Sequence, residues 1–224
     1  MSTRPLHAVT AVDALTAALR ERILEGELRP GTRLVERELT EQYDVARHTL
    51  RVALRALAGE GLVTLERHRG ARVAGLDAET LRGLFDLRAA LELEAAHRMM
   101  LQAHDGHVAP EVVRAVERLD AVCARRRPQW RAVVDAHDAV HTAIVSAGGS
   151  PRINAAYASL AGELRLFVIA LQPVFGTARM AQHHRELLSG LETEGAQALR
   201  RHLDEGRVAV ELTLGGSTAP SAGP

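Results

Sequence analysis

The chain has 224 residues, enough for one large domain or two small ones, each with a core of its own. Its 28 basic and 28 acidic residues cancel, which excludes a polyanion binder working by bulk charge, so any affinity for nucleic acid must be local. A hydrophobic fraction of 46% with only 3% aromatic residues calls for a core of Leu, Val, Ala and Ile, the material of packed helices, and the expected fold class is mostly α.

The segment MSTRPLHAVT lacks the apolar stretch of a signal peptide, and no run of about eighteen apolar residues could span a membrane. The single cysteine, Cys123, leaves no internal disulfide. A soluble, cytoplasmic protein without membrane contact is expected. The ends, MSTRPLH and the tail over residues 215–224, are small, polar and rich in Pro and Gly, and are expected to be disordered.

A first helix is read in VDALTAALRERILEG, where Val12, Leu15, Leu19 and Ile23 recur at helical spacing before Gly26. ELRPGTRL is a turn at Pro30 and Gly31, and VERELTEQY gives a short second helix on Val35, Leu39 and Tyr43. After three residues comes VARHTLRVALRAL, with Arg47, Arg51 and Arg55 in one stripe and Leu50, Leu54 and Leu57 beside Ala53 on the other face. Alone, that stripe is equally a solvated helix face. Behind a short helix and a tight turn, it sits on the recognition helix of a helix-turn-helix. EGLVTLERHRGARVAG then offers two short strands, Leu62, Val63 and Leu65 against Val73, joined by a basic turn of Arg67, His68, Arg69 and Gly70. A winged helix-turn-helix over residues 8–75 follows. Such a unit puts the recognition helix in the major groove and the wing along phosphates or the minor groove. There an Arg fork can donate two hydrogen bonds to guanine.

From Leu19 to Val73 the chain resembles the GntR superfamily of bacterial regulators, element by element and in order. Where that family usually has Ser-Arg-Thr-Pro-Val-Arg-Glu-Ala-Leu, this chain has Ala46 through Leu54, and both arginines are kept. The resemblance implies that Arg47, Thr49 and Arg51 meet DNA, that Arg33 and Glu38 support the contact, and that Gly70 lets the wing with Arg69 approach the backbone. His48 and Thr49 stand where the family has Thr and Pro, which implies a different operator preference.

From Asp77 onward the pattern is helix after helix, about six of them, at 78–103, 110–126, 129–147, 151–171, 177–192 and 195–214. Short connections favour an antiparallel bundle over residues 77–214. His137 and His141 lie one turn apart on the face of Val134, Ile144 and Gly148. His184 shares a face with Leu187, Leu188 and Leu191, whereas His183 points about 100° away. His202 aligns with Ala198, Leu199 and Ala209. Inward imidazoles on three helices suit Zn²⁺ or Ni²⁺, although spacing alone favours hydrogen-bonded core histidines.

LFDLRAALELEAA, HDAVHTAIVSAGGSPRI and HHRELLSGLETEGAQALRRHL resemble the FCD ligand-binding domain of the FadR branch, nearly throughout Leu84 to Leu203. That resemblance implies a divalent metal held by an Asp and a His one turn apart and by two further histidines. His141, His184 and His202 match. The Asp position falls on His137, with Asp138 the alternative first ligand. An all-imidazole set leaves the ion's charge uncompensated and implies an anionic effector, for which Arg88 matches the family's carboxylate clamp. A surface salt bridge of Arg88 with Glu92 is the competing reading. Arg125 to Arg127 are expected in solvated loop, Trp130 in packing, and Cys123 without reactivity.

The function expected is a ligand-responsive transcription regulator. A homodimer binds a double-stranded, near-palindromic operator and leaves it when a small carboxylate metabolite binds. The alternatives are the same regulator with a metal-free pocket for a larger acyl-type ligand, and a metalloenzyme. Against the enzyme, no Glu or other base stands beside the histidine pairs in a known catalytic spacing.

Overall fold

The computed structural model describes residues 10–66, 70–75, 77–103, 107–172 and 175–216, with side chains described up to residue 212. The terminal MSTRPLH, the wing-turn residues Arg67, His68 and Arg69, and residues 217–224 of the expected tail lie outside the described residues.

Thr10 starts the first helix, α1 (Ala11–Leu24), through a capping box: Asp13 N donates to Thr10 Oγ1 and Thr10 N to the Asp13 carboxylate, both at 3.1 Å. Leu15, Leu19 and Ile23 bury one face, and α1 packs on α3 (Arg47–Gly59) through Leu50, Ala53, Leu54 and Leu57. Between them α2 (Glu36–Tyr43) ends at Asp44, which turns the chain with φ 48°.

The wing is β2 (Val63–Glu66) paired antiparallel with β3 (Gly70–Val73), Val63 opposite Val73. ELRPGTRL is more than the expected turn. Gly31 N donates to Val73 O at 3.0 Å and Val73 N to Thr32 O at 2.9 Å, so the chain leaves the turn as a strand, β1 (Arg33–Leu34), on the free edge of β3. The sheet order is β1-β3-β2. A strand of two residues is too short to show the alternation by which strands are recognised.

The chain divides after Gly75 into two compact units. The second contains α4 (Ala78–Gln102), α5 (Pro110–Cys123), α6 (Trp130–Ala147), α7 (Pro151–Ala158), α8 (Ala161–Leu171), α9 (Thr177–Glu194) and α10 (Ala196–Gly216). Asp77 caps α4, and Ser150 with Pro151 opens α7. Among the described residues there are therefore seven helices here, not six. The helix expected over 151–171 is two, bent by 55°. At the break Ser159 Oγ donates to Ala156 O at 2.6 Å and Leu160 N closes a tight turn on Tyr157 O. A serine that bonds backward in this way competes with the helical ladder. α5 stops at Cys123, leaving Arg125 to Arg127 exposed, and α10 continues through Gly216, two residues into the expected tail.

Two glycines set the spacing of the helices that matter most. A Cβ on Gly148, at the end of α6, would lie 2.7 Å from Ala95 Cα of α4, and one on Gly190 of α9 would lie 2.6 Å from Ala198 Cβ of α10. These contacts hold α6 on α4 and α9 on α10. Among the described residues no single helix is long and apolar enough to cross a membrane.

Candidate functional site

In the first unit α3 presents Arg47, Arg51 and Arg55 on its exposed face. Arg33, Arg37, Arg47, Arg51, Arg55 and Gly70 border one concave surface. Five guanidinium groups around a hollow make a local positive field on a chain of zero net charge. Glu36 of α2 is the counterweight, lying 3.3 Å from Arg47 Nε and 2.9 Å from Arg51 Nε. Ala46, at the N-cap of α3, gives the helix no side-chain cap. His48 is exposed and Thr49 half-buried on that first turn, and Glu38 is exposed on α2. None of these three borders the hollow, whereas Arg33, Arg47, Arg51 and Gly70 do. Arg37 and Arg55 are the additions. Arg55 was visible as the third member of the stripe, and Arg37 only becomes a neighbour once α2 packs beside α3.

In the second unit five imidazoles meet in the interior: His137 and His141 from α6, His183 and His184 from α9, and His202 from α10, all buried. Arg88 and Glu92, one turn apart on α4, close the group. Glu92 is fully buried, accepts from Arg88 Nε at 2.6 Å and lies 2.8 Å from His141 Nδ1. Burial by itself would raise the Glu92 carboxyl, but Arg88 and His141 outweigh it and hold the carboxyl at about 2. As an anion Glu92 accepts from His141 Nδ1–H, which leaves the ring's lone pair on Nε2. Met180 O, 2.9 Å from His184 Nδ1, fixes the same tautomer there.

His141 Nε2, His184 Nε2 and His202 Nδ1 are then buried without a hydrogen-bond partner among the described residues. Burial pushes His137, His184 and His202 well below the usual imidazole range, and the neighbouring imidazoles push the same way. His141 is also lowered by burial, with Glu92 opposing. Neutral rings with orphaned lone pairs are costly to bury and ready to bind a cation. The donor atoms of His137, His141 and His184 lie within 4.8 Å of one another, and so do those of His183, His184 and His202. The donor set and the orphaned atoms fit a divalent metal. A cleft of about 10 Å³ lies between His137, His183, His184, His202, Arg88 and Phe167.

Three sequence expectations change here. The Arg88–Glu92 salt bridge exists but is buried, because that face of α4 lies against α6 and α10 rather than in solvent. The Arg88 guanidinium also sits 5.5 and 5.9 Å from the Phe85 and Phe167 ring centres. Asp138 is outside the imidazole cluster, 3.6 Å from Arg165 Nε, whereas His137 is inside it. His183 leaves α9 on the face next to that of His184, as its spacing requires, and is buried there too. α10 covers the adjacent face of α9 as well, and His183 meets Glu205 there at 2.9 Å. An acidic group does stand beside the histidine pair: Glu92 is distant from His141 in sequence and adjacent to it only through the packing of α4 on α6.

A larger groove along α9 and α10 is bordered by the apolar Phe175, Val208 and Leu212 and by the charged Arg179, Arg201 and Glu205.

Residues 11–73 match the family described as bacterial regulatory proteins, gntR family, and residues 83–205 match the FCD domain. The HTH-type transcriptional regulator BphR of Paraburkholderia xenovorans (strain LB400) is 34% identical over 144 residues, 61% of this chain and 58% of that protein. The HTH-type transcriptional repressor GlaR of Escherichia coli (strain K12) is 32% identical over 136 residues, 59% of this chain and 60% of that one. The chain thus spans about three fifths of the length of the curated relatives it matches. A GntR transcriptional regulator from Rhodococcus sp. RHA1, solved as a crystal structure, is similar over 89% of this chain and 97% of its own, with a TM-score of 0.69 and 26% identity.

Proposed function

Because the chain belongs to the GntR family of bacterial regulatory proteins and is a transcription regulator with an FCD domain, we propose that it binds a near-palindromic operator as a cytoplasmic homodimer and is released by a small anionic metabolite. The DNA contacts are Arg47, Arg51 and Thr49 on α3, His48 beside them, Arg33 and Glu38 in support, and the wing at Arg69 and Gly70, to which the shared hollow adds Arg37 and Arg55. One short helix and one wing bury little surface, and two half-sites multiply the discrimination and match the symmetry of the duplex.

In the helical domain His137, His141, His184 and His202 hold a divalent cation, Zn²⁺ or Ni²⁺, and Arg88 binds the effector. The observation that carries this reading is the set of orphaned imidazole nitrogens buried beside the Arg88 guanidinium. When bound, the ion supplies a fixed positive charge, which a carboxylate can neutralise in a dry site. Glu92 orients His141 and neutralises Arg88 in part, so the effector's second anchor is the outward edge of the guanidinium. The space between the rings and Arg88 is only about 10 Å³, so an effector enters by parting the packed side chains, and a short carboxylate needs less parting than a long acyl chain. An effector shifts operator affinity only by binding the DNA-competent and incompetent arrangements unequally. Release is the direction proposed, and the relative GlaR is named a repressor.

The test is selection of sheared source-genome DNA by metal-loaded, tag-free protein at two salt concentrations, which separates specific from counterion-driven binding. A sharply enriched palindrome is expected, and carboxylates related to the neighbouring genes should release it. Enrichment of nothing at either salt concentration would sink the regulator reading. An effector that saturates the protein and leaves operator affinity unchanged would remove the release mechanism alone.

A further inference from the structure

One buried imidazole stands outside the set of four. His183 is 5% exposed, its Nε2 lies 2.9 Å from Glu205 Oε2, and its ring stacks on that of His202 with centres 4.1 Å and planes 21° apart. Packing alone does not call for a histidine here, since an apolar side chain would fill the space with no polar atom to satisfy. With Glu205 as acceptor, His183 Nε2 carries the proton and Nδ1 keeps the lone pair. His141 is built the same way, with Glu92 behind its Nδ1 at 2.8 Å. A carboxylate behind an imidazole orients a metal-ligating histidine and raises its basicity. That construction occurs on α6 and again on α9.

The donor atoms divide accordingly into two triads, His137 with His141 and His184, and His183 with His184 and His202, each within 4.8 Å. An ion with nitrogen ligands at about 2.0–2.1 Å in tetrahedral array needs donors about 3.4 Å apart, so each triad closes by a modest contraction. His184 belongs to both. Its Nδ1 is committed to Met180 O, which leaves one lone pair, at Nε2. One lone pair serves one cation.

We propose that His183 is a metal ligand, and that the helical domain offers a single divalent cation two overlapping seats that share His184. The first seat is the set of four proposed above, whose compact part, His137, His141 and His184, adjoins Arg88; the second, His183, His184 and His202, is backed by Glu205. This rests on the domain binding a divalent metal at all.

The test uses full-length, tag-free, metal-stripped protein and Co²⁺ alone, read by equilibrium titration and by the visible absorption bands, which report the ligand set. Wild type is expected to take up one Co²⁺ per chain. His183→Gln and His137→Gln should each still take up one, with bands that differ from wild type and from each other, whereas His184→Gln should abolish uptake. Glu205 is about half exposed, so Glu205→Gln does not endanger the fold, and it should weaken Co²⁺ binding by about ten- to a hundredfold with altered bands. Wild-type affinity and bands in both His183→Gln and Glu205→Gln would overturn the assignment of His183. Two Co²⁺ per chain in wild type would overturn the shared lone pair. No uptake by wild type would instead bring down the metal reading of the domain, a result distinct from the other two.

Discussion

At the scale of single residues, charge placement decides what each unit does. Glu36 bridges Arg47 and Arg51, so on the proposed operator contact phosphates or bases would replace a carboxylate that is already in place. Arg51→Ala is expected to weaken operator binding by about ten- to a hundredfold and to relax discrimination at one base position, read by competition titration against mutated operators. Glu36→Gln should do the reverse to non-specific DNA, raising its affinity several-fold at low salt while narrowing the ratio of specific to random binding. A ratio left unchanged in Glu36→Gln would show that the pair is an ordinary surface contact. In the helical domain Glu92→Gln leaves Arg88 buried without its anion and should cost about 3–5 kcal/mol in urea unfolding. Loss of less than about 1 kcal/mol would mean that water or another acceptor reaches Arg88.

At the scale of elements, helix contacts bring the imidazoles together. α6 carries His137 and His141 to Glu92 of α4 because Gly148 lets the two backbones touch at Ala95. Gly148 has φ −68°, a conformation open to any residue, so its role is space alone. Gly148→Ala places a methyl group against backbone and should destabilise the helical domain by about 1–3 kcal/mol, measured by thermal or urea unfolding. Because the same shift moves His141 away from Glu92, Co²⁺ affinity should fall in step. Unchanged stability would show that α4 and α6 slide apart at no cost. The break between α7 and α8 belongs to this scale as well: the sequence over 151–171 is helical in pattern throughout, and a serine back-bond with a tight turn at Leu160 divides it.

At the scale of the whole molecule, one unit carries the exposed arginine stripe and the other the buried imidazoles, and each has its own core. A cation bound by the folded helical unit and not by the unfolded chain adds about 2.7 kcal/mol at a hundredfold excess over its Kd. Chelator treatment of the metal-loaded protein should therefore lower the melting transition of that unit and leave the winged unit's transition in place. A single transition that does not move with chelator would argue against a structural cation.

The sequence by itself determined the order of elements apart from β1 and the break between α7 and α8, together with the winged helix-turn-helix, the arginine stripe and the helix faces that carry imidazoles, because each rests on a local period or on turn residues that act within a few positions. It also singled out Arg88, His137, His141, His184 and His202. Only the tertiary structure decided that Asp138 turns to Arg165, that Glu92 backs His141, and that His183 is covered by α10 and held by Glu205. Spacing fixes the direction in which a side chain leaves its own helix. Which helix lies opposite, and how closely, depends on contacts between residues far apart in the chain, such as Gly148 on Ala95 and Gly190 on Ala198, and no local period encodes those.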